Sequence, residues 1–237
     1  LLRAFLRSSL RNLMETEVLV FERVKMPFDL WVSFTIAAAV LAVAPGPDNL
    51  FVLLQSAMYG ARAGIFVTLG LCVGVFIQTL LAAFGVAAVV AASPTLLMII
   101  QFAGAAYLLY LAWGAWNAPV GGESGESSKK YPRLTNFQLW RRGILMNITN
   151  PKVLIFFLAF FPQFIIKGST ESQVMVQMLI MGMTFLVCTL VVFSAIAWCA
   201  GTLADRLRSP KVQTILNKVS AVIFTVLAIS TLLWKAN

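Results

Sequence analysis

AAAVLAVAPGPDNLFVLL, residues 37–54, places two prolines, a glycine and an aspartate in the middle of an apolar run that extends from about 30 to 58. Pro45 and Pro47 each remove a backbone N–H and crowd the preceding turn, so a helix through APGPDN (44–49) is expected to break. Carbonyls freed at such a break are tolerated inside a membrane only where protein or a water-filled cavity satisfies them. Asp48, inside the run, is costly to bury and by default marks function.

The rest of the chain places this run in a bilayer. Of 237 residues, 60% are hydrophobic and 11% charged, against about a quarter charged in an ordinary soluble domain. A water-soluble fold of this size has too little interior to hide that much apolar surface. The net charge of +9 belongs with basic cytoplasmic loops rather than with nucleic acid. Histidine is absent and the cysteines Cys72, Cys188 and Cys199 are scattered through apolar runs, a pattern of packing residues rather than of a disulfide framework or zinc site. Hydrolytic and metal chemistry are therefore not expected, and no cofactor is. No phosphate-cradling GxxxxGK[ST] loop suggests use of ATP.

Six stretches are long enough to span about 30 Å of hydrocarbon: roughly 30–58, 64–92, 95–117, 143–166, 173–201 and 213–234. Trp31, Trp113, Trp116, Trp140, Trp198 and Trp234 stand near their ends, where amphipathic rings favour the interface. Ser93-Pro94 reads as a helix cap followed by a first-turn proline, hence a tight hairpin. Residues 118–142 form the one long polar connection, a basic cytoplasmic loop dividing the chain into a half at 26–117 and a half at 143–237.

Arg62, Lys129, Lys130, Arg133, Arg141, Arg142, Arg206, Arg208 and Lys211 fall on one face, Lys167 and Lys235 on the other. By the excess of basic residues in cytoplasmic loops, both termini lie outside the cytoplasm. Residues 1–25 mix both signs of charge and do not span. They read either as an amphipathic tail, whose basic residues would compete in setting orientation, or as sequence preceding a native start at Met26; the second is preferred.

A second break is expected at Asn150-Pro151-Lys152. Each break lies in the first helix of a three-helix half. Three spans is an odd number, so the halves enter the membrane from opposite sides, as in transporters whose sites form at discontinuous helices near the midplane. The fold class expected is thus an all-α membrane protein, six spans in two inverted three-helix repeats, with the first and fourth broken. Aligning the breaks sets Asp48 against Lys152, the only charges clearly in the interior. Two readings stand beside each other: a substrate or proton-coupling site walled by Pro45, Gly46, Pro47, Asn49, Asn147, Asn150 and Pro151, or an internal ion pair between kinked, packed helices. Gln78 and Gln101 are glue between helices or pore lining, and Gly60, Gly64, Gly70 and Gly74 have the spacing of close helix contacts.

From about Met26 onward these motifs resemble the LysE/RhtB family of bacterial amino-acid exporters. The resemblance is carried by APGPDN (44–49), YGARAGIFVTLGLCVG (59–74), FAGAAYLLYLAW (102–113) and NFQLWRRGILMNITNPKVLIFFLAFFPQF (136–164). It implies export of amino acids across the bacterial inner membrane, driven by proton entry, and not an enzyme. A zwitterionic substrate would set its ammonium at Asp48, which also serves the proton, and its carboxylate at Lys152. Beyond substrate, proton and lipid, a homodimer is compatible with a bundle this small.

Overall fold

The computed structural model describes residues 26–118, 133–166, 168–207 and 209–233. Residues 1–25, Lys129, Lys130, Lys167, Arg208, Trp234 and Lys235, with the readings placed on them above, lie outside the described residues. Their regular elements are all helices, without strands among the described residues.

The chain begins with α1 (Phe28–Val43) and α2 (Pro47–Tyr59), which meet at 58° across residues 44–46. Two long helices follow, α3 (Ala61–Ala92) and α4 (Pro94–Trp116), joined at Ser93, whose hydroxyl accepts the Leu96 N–H as an N-cap. Next come α5 (Asn136–Ile148) and α6 (Pro151–Ile155), whose continuation runs as a π-helical turn over Phe156–Phe160 and a 3-10 turn over Phe161–Phe164. The angle at this second break is 47°. The chain ends with α7 (Glu171–Leu207) and α8 (Pro210–Leu233). Four of these helices, α3, α4, α7 and α8, are long and apolar enough to cross a membrane, and up to six spans result if each bent pair is one.

The structure differs from the expected boundary at the polar connection. Residues 136–142, read as loop, are the first turns of α5. Thr135 caps them by accepting the Gln138 N–H, while the Gln138 side chain accepts the Thr135 N–H. This reciprocal capping box starts a helix through a polar sequence that hydropathy leaves out.

Helices α3 and α7 pack along each other at the centre. Against them lie α5 on α3 and α1 and α2 on α7, while α4 and α8 pair at the side. The α3–α5 crossing is set by glycine. A Cβ at Gly70 would overlap the Trp140 carbonyl, one at Gly143 would overlap the Val67 carbonyl, and one at Gly74 would stand 2.6 Å from Asn147 Cβ. In lipid, where helix association depends on close van der Waals approach, such small-residue faces bring backbones together. Gly64 does the same for α2, admitting the Ser56 hydroxyl.

Two apolar clusters fill the bundle. The larger holds Phe34 of α1, Val75 and Ala83 of α3, Phe156 to Phe161 beyond the second break, and Met178 and Phe185 of α7. The smaller holds Ala42, Val52, Val67, Leu71, Leu139, Phe193 and Ala197. Along each central helix one cluster gives way to the other, at Leu71 to Val75 in α3 and at Phe185 to Phe193 in α7. Both helix breaks fall at this same level, which makes it a polar layer between two apolar ones.

Candidate functional site

The two breaks satisfy each other's backbone. Pro47 and Pro151 both occupy the first turn of a new helix, where a missing N–H costs nothing and the fixed φ is already helical. They therefore begin α2 and α6 rather than bend a continuous helix. Both are exposed on the bundle's outside, so they shape the wall without facing its interior. Pro45 and Gly46 form the half-buried linker.

At the first break, the carbonyls at the end of α1 are taken by side chains. Asn49 Nδ2 donates to the Ala42 carbonyl at 2.9 Å, and Lys152 Nζ, from across the second break, donates to the Ala44 carbonyl at 3.1 Å. Gly46 permits this approach, since a Cβ there would lie 3.1 Å from Lys152 Nζ. At the second break, Gln78 of α3 donates to the carbonyls of Asn147 and Ile148 at 2.8 and 3.2 Å. Asn150 caps α6 through Oδ1, which accepts the Lys152 N–H at 3.0 Å, and its Nδ2 donates to Asp48 Oδ2 at 2.7 Å. Thus each break reaches into the other: Lys152 into the first, Asn150 toward Asp48.

Asp48 and Lys152 are 4% and 8% exposed and are the buried charged side chains among the described residues. They form no direct ion pair, because Asn150 engages the carboxylate and the Ala44 carbonyl engages the ammonium. Each keeps capacity to spare. Asp48 Oδ1 has no hydrogen-bond partner, nor does Asn147 Oδ1, and an ammonium has three donors. Asp48 also lies in the first turn of α2, where helix N-terminal amides favour negative charge.

Asp48, Asn147 and Lys152 line one small cavity of about 10 Å³, together with Thr189 and the apolar Leu71 and Phe193. That is room for about one water. Its wall combines an anion, a cation and an amide oxygen in a surround that water does not screen, where such groups act strongly.

Of the remaining expected residues, Gln78 is a clamp on the α5 carbonyls. Gln101 is buried on α4 but does not line the cavity. Sequence reasoning missed Thr189, whose hydroxyl donates to the Phe185 carbonyl within its own helix, and missed buried Gln55 and Ser56 on α2. Nothing sets Thr189 apart in an apolar run. Gln55 and Ser56 were legible as polar residues two helical turns beyond Asp48. No group of three or more His, Cys, Asp or Glu suited to a metal occurs among the described residues.

The sequence model of the LysE type translocators matches residues 39–234. An uncharacterized membrane protein of Vibrio cholerae serotype O1 is 29% identical over 202 residues, 84% of this chain and 94% of that protein. The homoserine/homoserine lactone efflux proteins of Salmonella typhimurium and Salmonella typhi are each similar to the same extent, 29% identical over 202 residues covering 84% of this chain and 94% of their own. No solved structure matches the chain.

Proposed function

We propose, from the premise that this chain belongs to the LysE type translocator family, that it exports amino acids or close derivatives across a bacterial inner membrane as a secondary transporter. The observation that carries the reading is the small cavity in which the spare acceptors of Asp48 and Asn147 and the ammonium of Lys152 share one wall. A zwitterion presents a donor group at one end and an acceptor group at the other. Its ammonium replaces part of the environment of Asp48, and its carboxylate takes Lys152 from the Ala44 carbonyl. Relatives named for efflux of homoserine and its lactone support small amino-acid-like substrates, for which the cavity has to widen.

In this reading each bent pair is one span, making six spans in two inverted halves, 26–117 and 136–237, joined by a cytoplasmic loop. Part of the packing supports it: exchanging the halves turns the α1–α7 contact into the α5–α3 contact and returns the α3–α7 and α4–α8 pairs to themselves, while the contacts of α2 with α3 and α7 have no counterpart of similar extent at α6. Both termini then face away from the cytoplasm. Export is coupled to proton entry, with Asp48 taking a proton when substrate ammonium leaves it.

Efflux from amino-acid-loaded proteoliposomes with an imposed pH gradient tests the reading. Wild-type protein accelerates efflux, and Asp48→Asn and Lys152→Gln abolish it while still reconstituting. Undiminished, gradient-driven efflux by Asp48→Asn would remove the coupling role. Absence of transport by the wild-type protein for a panel of neutral, acidic and basic amino acids would remove the substrate class.

A further inference from the structure

The site is closed by apolar packing on both sides, but the two closures are built differently. On the side of the larger cluster, phenylalanines pack edge to face, as Phe34 does on Phe161 and Phe164 at 4.9 and 5.3 Å between centroids. Two glutamines near that closure are fully engaged. Gln177 accepts from the Ile166 N–H and donates to Ser169, while Gln163 donates to Ala159 and Thr231 and accepts from Ser230.

On the side of the smaller cluster, polar groups are buried and unengaged. Gln55 and Ser56 are 8% and 4% exposed, yet Gln55 Oε1 and Ser56 Oγ have no partner. A buried polar atom left unpaired costs about 1–3 kcal/mol; Gln101 Nε2 on α4 is unpaired as well, and what sets Gln55 and Ser56 apart is their place on the helix that carries Asp48. Spacings of four, seven and eight residues put Val52, Gln55 and Ser56 on the face of α2 that carries Asp48. With a rise of 1.5 Å per residue, Ser56 lies about 12 Å from Asp48 along the helix. Beyond it the chain turns at Gly60 into α3. Ser56 stands at a three-helix junction, against Gly64 of α3, where Ala197 of α7 also approaches. Counting along the antiparallel hairpin from that contact sets Thr68, fully buried and hydrogen-bonded to the Gly64 carbonyl, beside Val52.

We propose that this face of α2 is the route by which the solution on the Gly60 side reaches Asp48, with Gln55 and Ser56 as stepping groups that hydrogen-bond a passing amino-acid zwitterion or its water. Arg62 and Arg142 lie on the same side, Arg142 over the Phe51 ring at 4.9 Å, which makes it the cytoplasmic side and the route the entry path for exported substrate. The route rests on the assignment of Asp48 to the site, but the labelling that tests it does not depend on transport. The junction at Ser56, Gly64 and Ala197 is the part that must part to open it, because small residues there hold the three backbones together.

The test uses the full chain with Cys72, Cys188 and Cys199 replaced by alanine, carrying Ser56→Cys and exposed to a membrane-impermeant maleimide in oriented vesicles. Labelling of S56C is expected from the cytoplasmic side only. It should be at least about tenfold faster than labelling of Ala83→Cys in the opposite closure, as a locally opening site exceeds a static one, and homoserine should slow it. No labelling from either side, while Ala61→Cys at the helix turn labels, overturns the route, as does labelling from the outer side. A second measurement uses Gln55. Gln55→Leu should lower saturating efflux about tenfold, equivalent to about 1.4 kcal/mol, with Gln55→Asn largely restoring it. Equal efflux by Gln55→Leu and wild type overturns the stepping role. If Asp48→Asn exports normally while S56C labels from inside, the route stands and the assignment of Asp48 falls.

Discussion

Replacing Asn150 is the most informative perturbation of the site, because this one side chain does two separable things. Its oxygen caps α6 by accepting the Lys152 N–H at 3.0 Å, and its amide nitrogen donates to Asp48 Oδ2 at 2.7 Å. Loss of an N-cap costs about 1 kcal/mol. Loss of a hydrogen bond to a charged group costs about 1.5–3 kcal/mol. Asn150→Ala removes both and should cost about 3 kcal/mol, lowering the melting midpoint of the purified protein by about 6–12 °C at roughly 2–4 °C per kcal/mol for a chain of this length. Asn150→Ser keeps a cap of equal quality and loses only the contact with Asp48, so its midpoint should fall between those of wild type and Asn150→Ala. Asn150→Asp also keeps the cap, but sets an acceptor where Asp48 needs a donor, and should be less stable than Asn150→Ser at neutral pH. Thermal unfolding in detergent, followed by tryptophan fluorescence and size exclusion, gives the order. Asn150→Ala and Asn150→Ser both melting with wild type would refute the bridge between the breaks, and Asn150→Asp melting above Asn150→Ser would refute the direction of the hydrogen bond.

Gly143→Val forces a side chain into the Val67 carbonyl at the α3–α5 crossing; overpacking of this kind costs about 1–3 kcal/mol or more, and the yield of monodisperse protein should fall sharply. Gln78→Leu leaves the Asn147 and Ile148 carbonyls without their shared donor and should destabilise by about 1–3 kcal/mol. Gln101→Leu should leave the efflux rate within about twofold of wild type, since Gln101 does not line the cavity and substitutions away from a site seldom alter transition-state binding. Lys152→Arg should not replace lysine in efflux assays, because the broad guanidinium fork does not fit where Gly46 and the Ala44 carbonyl close on a single ammonium.

Much of the helical architecture was legible because hydropathy and proline act locally. The long apolar runs became α3, α4, α7 and α8, and the chain direction changes at APGPDN and NPK. Burial of Asp48 and Lys152 was legible for the same reason, as both sit deep in apolar stretches. What sequence did not reveal is pairing between distant residues. Nothing in NPK says that Lys152 serves the Ala44 carbonyl 108 positions away, or that Asn150 rather than Lys152 meets Asp48. The start of α5 escaped for a different reason: its first turn is polar, and the signal there is a capping box rather than an apolar stripe. Thr189 escaped because helices that are apolar on every face carry no periodicity to mark the inward one.

The cross-connection of the breaks bears on how the site opens. In a membrane interior, a freed carbonyl must find a donor or stand beside water, so a lysine that leaves the Ala44 carbonyl needs a replacement for that bond. Substrate supplies it. On the proposed reading an incoming zwitterion offers a carboxylate to Lys152 and ammonium protons to the Ala44 carbonyl and Asp48, conserving the number of hydrogen bonds while the partners change. A neutral or singly charged solute conserves only one side of this exchange and leaves a buried group unpaired, at a cost of about 1–3 kcal/mol or more. Preference for solutes that carry an amino group then follows from the Asp48 side of this exchange, and a free carboxylate adds the Lys152 side. It also explains why Asp48 and Lys152 are close enough to share a cavity yet each bonded elsewhere. A direct ion pair would have to be broken for substrate to bind, whereas bonds to an amide and a carbonyl can be exchanged one at a time.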